Sequence, residues 1–200
     1  MNRNEIIRPL LFGLFLTLLF ACNHSTSTDK QADNSIVTIN TFFDEADLGA
    51  FGSDTRLFIN TQFSECGEWG GHEEKIVVFA KEDKEFYLNY KKFKVNCDSI
   101  GKYYGTPDFQ KLEIEKTLKL NDANKKSISG YIQRMVKSKV EERYPGHAGN
   151  SFSVIKSDSS LIIDVYSGGS YSVDSYNRLL TELNLSIKKE NGKWYDIWPE

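Results

Sequence analysis

Residues 75–94 read KIVVFAKEDKEFYLNYKKFK, and this stretch decides the fold. Residues 75–80 and 85–94 are rich in β-branched and aromatic side chains. Between them Glu82, Asp83 and Lys84 form a short polar break, the pattern of a β-hairpin. Outward from it, residues 111–120 (KLEIEKTLKL) alternate: Leu112, Ile114, Leu118 and Leu120 fall on one face, Glu113, Glu115 and Lys119 on the other. A period of two marks a half-buried strand. Residues 36–43 and 56–63 carry the same composition and read as further strands. Residues 152–156 and 161–166 flank Ser157-Asp158-Ser159 as a second hairpin. Residues 185–190 and 193–198 flank Asn191-Gly192, a pair that tolerates positive φ, as a third. Two segments have helical spacing instead. Residues 124–144 place Ile128, Tyr131, Ile132, Met135, Val136 and Val140 three or four apart, start beside the capping residues Asn121, Asp122 and Asn124, and stop at Pro145-Gly146. Residues 172–184 do the same with Val173, Tyr176, Leu179, Leu180 and Leu183. The expectation is an α+β domain: a mostly antiparallel sheet covered by two helices, about 124–144 and 172–184.

The chain has 200 residues, with 40% hydrophobic and 13% aromatic side chains, enough for one packed core. A net charge of −3 carries no basic stripe and argues against nucleic acid as a partner. Before residue 36 the composition changes character. Arg3 and Arg8 precede an apolar run at residues 10–21. That run is too short to cross about 30 Å of hydrocarbon at about 1.5 Å per residue, and it has the length of a signal-peptide core. It ends in Leu19-Phe20-Ala21-Cys22, which resembles the lipobox of bacterial lipoprotein precursors: an aliphatic residue, a small residue, then an obligatory cysteine. The resemblance covers only the first 22 residues and implies location rather than chemistry. Residues 1–21 would be a cleaved signal peptide. Cys22 would be lipidated and would hold the protein in a membrane, since two or three acyl chains give stable anchoring. Residues 22–35 would be the lipidated cysteine and a polar tether, with the 13 residues NHSTSTDKQADNS reaching about 45 Å at full extension. Residues 36–200 would form a single domain outside the cytoplasm. Asn23, rather than Asp, after the cysteine points to the outer membrane by the best-known sorting rule.

With Cys22 carrying lipid, Cys66 and Cys97 remain as an even pair in an oxidising compartment. They either form a disulfide, closing a loop of about 31 residues worth about 3–4 kcal/mol, or stay as two thiols. Around Cys66, residues 64–75 (SECGEWGGHEEK) gather Glu65, Glu68, His72, Glu73 and Glu74 about Trp69-Gly70-Gly71. These are zinc-ligand types, but the spacing matches no Cys-x-x-Cys or His-Glu-x-x-His pattern. No metal or other cofactor is therefore expected. The plain alternative is a glycine-containing connection with solvated charges. A third reading is a partner contact through Trp69, Glu68 and His72, because a tryptophan in a polar loop is a good interface anchor.

His147 follows the long helix, but a general base needs an orienting carboxylate and a nucleophile that the sequence cannot place. Residues 167–172 (SGGSYS) precede a helix, yet they form neither a P-loop nor a nucleophile elbow and read as a capped turn. Tyr87, Tyr90, Tyr103, Tyr104, Tyr166 and Tyr171 would stack on sugar rings if exposed; at strand spacing such residues are more often half-buried. No catalytic set is visible. The expected function is a membrane-anchored binding or interaction module of the cell envelope, with an unknown envelope protein or ligand as partner. An envelope hydrolase or metal-binding protein using His72 or His147 is the alternative.

Overall fold

The computed structural model describes residues 42–142, 149–167, 170–190 and 193–196. The signal peptide, Cys22, the tether, most of the strand expected at 36–43, His147 and the Asn191-Gly192 turn lie outside the described residues. Residues 40–200 cluster as one unit.

The fold is α+β. Strands β1 (Leu57–Gln62), β2 (Glu73–Ala80), β3 (Phe86–Val95), β4 (Gln110–Lys119), β5 (Asn150–Lys156) and β6 (Ile162–Ser167) form one sheet in the order β4-β3-β2-β1-β5-β6. Every neighbouring pair is antiparallel. The deciding stretch forms the β2–β3 hairpin, closed by Lys81 N–H to Glu85 O at 3.0 Å and Lys84 N–H to Lys81 O at 2.8 Å. Lys84 takes the left-handed conformation at the turn, φ 62°. Strands β7 (Ile187–Glu190) and β8 (Lys193–Asp196) pair separately.

Helix α1 (Ile100–Tyr103) is a single turn; α2 (Asp122–Glu141) and α3 (Ser170–Glu182) are the two long helices. Helix α2 begins with a reciprocal cap: Asn124 N–H donates to the Asn121 side chain at 2.8 Å, and Asn121 N–H to the Asn124 side chain at 3.1 Å. Both orphan donors are thus satisfied. Ile128, Tyr131, Ile132 and Met135 are buried, whereas Val140 is 81% exposed. At about 100° per residue, the last turn has rotated away from the stripe that faces the sheet.

One face of the sheet meets the helices. Leu57 and Ile59, Ile76 and Val78, Phe86 and Leu88, Phe152 and Val154, and Ile163 and Val165 alternate inward into a core with Tyr131, Tyr176, Leu179 and Leu183. The segment after Phe42 is not a strand among the described residues. It turns so that Leu48 and Ala50 close one end of this core, and Ala80 N–H donates to Leu48 O. There the buried Lys156 ammonium meets Asp47 at 2.6 Å.

The alternation expected along residues 111–120 breaks once. The β3–β4 register shifts between Lys92 and Phe93, so Ile114 opposes Lys92 but Leu112 opposes Phe93. Residues directly opposed share a face, and a one-residue slip reverses it. Leu112 therefore leaves the core side and is exposed, while Leu120 is buried.

Candidate functional site

The loop joining β1 to β2 supplies the most structured polar chemistry among the described residues. Residues Gly67–Trp69 form a 3-10 turn, with Cys66 N–H bonded to Gly70 O at 2.7 Å and Gly67 N–H to Ser64 O at 2.9 Å. The two glycines have separate uses. Gly70 has φ 80°, and a Cβ at Gly71 would run into the Glu65 carboxylate and the Phe63 carbonyl. The chain can thus fold back so that Glu65 accepts from His72 N–H at 2.9 Å and also pairs with His72 Nδ1.

The loop is tied down on three sides. Cys66 and Cys97 are joined in a disulfide with Cα atoms 5.2 Å apart. Ser64 N–H donates to Asn150 Oδ1 at 3.0 Å, and Gln110 Nε2 to Gly71 O at 2.7 Å. The cysteine pair left open by the sequence is therefore a bridge. It brings the segment around α1 against the β1–β2 loop, where Trp69 and Tyr104 meet edge to face with centroids 5.2 Å apart.

Beneath the loop lies a buried carboxylate. Glu74 is 2% exposed and occupies the inward row of β2 with Ile76, Val78 and Ala80. Reading the charges of residues 64–75 as solvated fails here, because the period of two carries position 74 into the core. Glu74 Oε2 accepts from Tyr90 Oη at 2.8 Å and Tyr176 Oη at 3.1 Å. Its Oε1 lies 3.1 Å from Lys92 Nζ and 3.2 Å from His72 Nε2. Burial pushes its pKa up, but the His72 hydrogen bond and the Lys92 charge outweigh this and hold it below the ordinary value. His72 is the mirror case. Burial lowers its pKa, while the bond to Glu74 and the charge of Glu65 raise it overall. Burial and the adjacent carboxylate drive the Tyr90 and Tyr176 hydroxyls far up, so both stay protonated donors.

This arrangement is a clamp. Both ring nitrogens of His72 are taken by carboxylates, and its face stacks on Phe63 at 4.4 Å. General-base work needs a free nitrogen facing a substrate, and His72 presents none. Cys66 is not a thiolate, and no group of three or more His, Cys, Asp or Glu among the described residues could hold a metal ion. No helix among the described residues is long and apolar enough to cross a membrane.

Trp69 (52% exposed), Tyr104 (54%) and Tyr166 (46%) border one groove of about 220 Å³. Gln62, Glu68 and Ser151 supply its polar lining, and glycines complete it. Of the three residues expected to contact a partner, Trp69 and Glu68 line this groove and His72 lies in the clamp. Of the tyrosines singled out in the sequence, Tyr104 and Tyr166 border it. Tyr90 is buried on Glu74, and Tyr87 stacks on Phe79 on the uncovered sheet face. Gln62 and Ser151 carried no signal of their own; only the β1–β5 register, which pairs them, reveals them.

Comparison with known proteins finds no matching family model, no similar curated protein and no similar solved structure.

Proposed function

We propose that the chain is a lipid-anchored bacterial envelope protein whose folded domain is a non-enzymatic binding module. The anchor rests on the lipobox-like Leu19-Phe20-Ala21-Cys22 behind a charged and then apolar leader. The binding reading is carried by one observation: three half-exposed aromatic side chains border a single groove, Trp69 and Tyr104 on segments joined by a disulfide and Tyr166 on strand β6. Large exposed rings on a rigid support lose little freedom when a ligand covers them, the condition that favours affinity. The locked His72 supports a structural rather than catalytic role for the most unusual loop.

Two experiments test this. In the producing bacterium, wild type is expected in the membrane fraction, and Cys22→Ser is expected to release it in unlipidated form. A soluble wild type, or a Cys22→Ser protein that stays membrane-bound, rejects the anchor. A photo-reactive amino acid at the exposed Glu68 position is expected to yield an adduct in living cells that disappears when Trp69→Ala is added. Absence of any adduct dependent on Trp69, together with no Trp69-dependent ligand binding by the purified protein, rejects the binding module.

A further inference from the structure

We infer that the groove bordered by Trp69, Tyr104 and Tyr166 takes a neutral oligosaccharide. This deepens the binding-module reading and rests on it.

Three features on the groove point to that chemistry. First, its walls are aromatic rings with half their surface open. The C–H bonds on one face of a pyranose are weakly positive and meet the negative face of such a ring. Second, its polar lining consists of an amide (Gln62), a hydroxyl (Ser151) and one carboxylate (Glu68). Amides and hydroxyls both donate and accept, and a carboxylate accepts from two neighbouring hydroxyls. Among the described residues, no lysine, arginine or histidine lines it. That disfavours phosphate, uronate or a lipid phosphate headgroup, each of which needs a cation or an array of N–H groups. Third, the groove is small. At about 220 Å³ it falls below the about 300–1,000 Å³ of pockets that enclose a cofactor or drug-sized ligand. It suits one ring of a longer chain.

The rest of that chain has a path. Gln62 and Ser151 also line a second hollow, on the sheet face that the helices leave uncovered. Its floor carries Asn60, whose amide donates to Ser153 Oγ at 3.3 Å, and Lys75, whose charge is paired with Glu73 at 2.7 Å. This trough is polar and locally neutral, and it continues from the aromatic groove across β1 and β5. A ring on Trp69 would thus be the end subsite of a short linear site.

The disulfide belongs to this proposal. Trp69 and Tyr104 lie on different loops, and Cys66–Cys97 joins those loops. Reduction would remove that covalent link between the two rings' segments.

The test uses the full lipidated chain in an amine-oxide detergent, which has no sugar headgroup. It is titrated calorimetrically with linear glucose, N-acetylglucosamine, mannose and galactose oligomers of two to six units. At least one series is expected to bind, with affinity rising with length as the trough fills. Trp69→Ala and Tyr166→Ala are each expected to weaken binding about two- to tenfold, the scale of one lost ring stack. Tyr87→Ala, at an aromatic outside the groove, is expected to bind as wild type. An unchanged thermal midpoint shows that the Trp69 variant is folded. The proposal is overturned if none of these oligomers binds or if binding persists unweakened in folded Trp69→Ala. A Trp69-dependent protein adduct at position 68 together with no oligosaccharide binding overturns the saccharide and leaves the binding module standing. No adduct and no saccharide binding overturn both.

Discussion

Removing the Glu74 carboxylate is expected to be among the most damaging single changes in this domain. In Glu74→Ala, the hydroxyls of Tyr90 and Tyr176 lose the acceptor they share. A buried donor left unsatisfied costs about 1–3 kcal/mol. Lys92 and His72 lose a negative partner at 3.1 and 3.2 Å. Both side chains are partly open to water, and His72 keeps Glu65, so these losses are smaller. Breaking one side of a buried ion pair costs about 3–5 kcal/mol, and that range is expected here, against a total stability of about 5–15 kcal/mol for a domain. Glu74→Gln keeps the volume and one acceptor oxygen but turns an amide donor toward the cations; about 2–3 kcal/mol is expected. The assay is urea unfolding at pH 7 followed by circular dichroism, with the disulfide oxidised and the m-value checked for constancy. A double-mutant cycle with Tyr90→Phe identifies the cause. Tyr90→Phe is expected to cost about 1–2 kcal/mol in wild type and much less once Glu74 is gone. Tyr131→Phe is the control, because the buried Tyr131 hydroxyl has no hydrogen-bond partner among the described residues; its removal leaves no acceptor unpaired and is expected to be neutral or stabilising. A Glu74→Ala penalty below about 1 kcal/mol, or a Tyr90→Phe penalty independent of Glu74, refutes the reasoning.

The His72 clamp carries a pH signature. Its raised pKa means that its contribution is complete below 6.5 and is lost as pH rises through the folded value. The lowered pKa of Glu74 means that its contribution is complete above 4.5 and is lost as pH falls through the folded value. The penalty of His72→Gln, measured by urea unfolding, is therefore expected to be largest between pH 4.5 and 6.5 and to shrink at pH 9; equal penalties at pH 5.5 and pH 9 would contradict the assignment. Replacing Cys66 and Cys97 together by serine opens a loop with a sequence separation of 31 and is expected to cost about 3–4 kcal/mol. Equilibrium unfolding reads this directly, and a loss under about 1 kcal/mol would show that the denatured chain gains little freedom from the break.

Local pattern alone determined the α+β class, the β2–β3 hairpin, the paired strands around Ser157–Ser159 and both long helices, because periods of two and 3.6 are properties of neighbours in the chain. It pointed to Trp69 and Glu68 and to the pairing of Cys66 with Cys97, although the thiol alternative stayed open. The inward place of Glu74 was also within reach: counting back by twos from Ile76 puts it in the core row, and the cluster of charges around it hid that. Other features needed the tertiary structure. The shift beside Phe93 that turns Leu112 outward depends on how two strands pair. The meeting of Glu74 with Tyr176 joins β2 to α3 across 102 residues. The groove draws Trp69, Tyr104 and Tyr166 from three separate segments. Such placements depend on register, crossover and packing. These are settled by which arrangement buries the apolar rows while leaving every buried charge a partner, and that choice belongs to the whole chain and to no window of it.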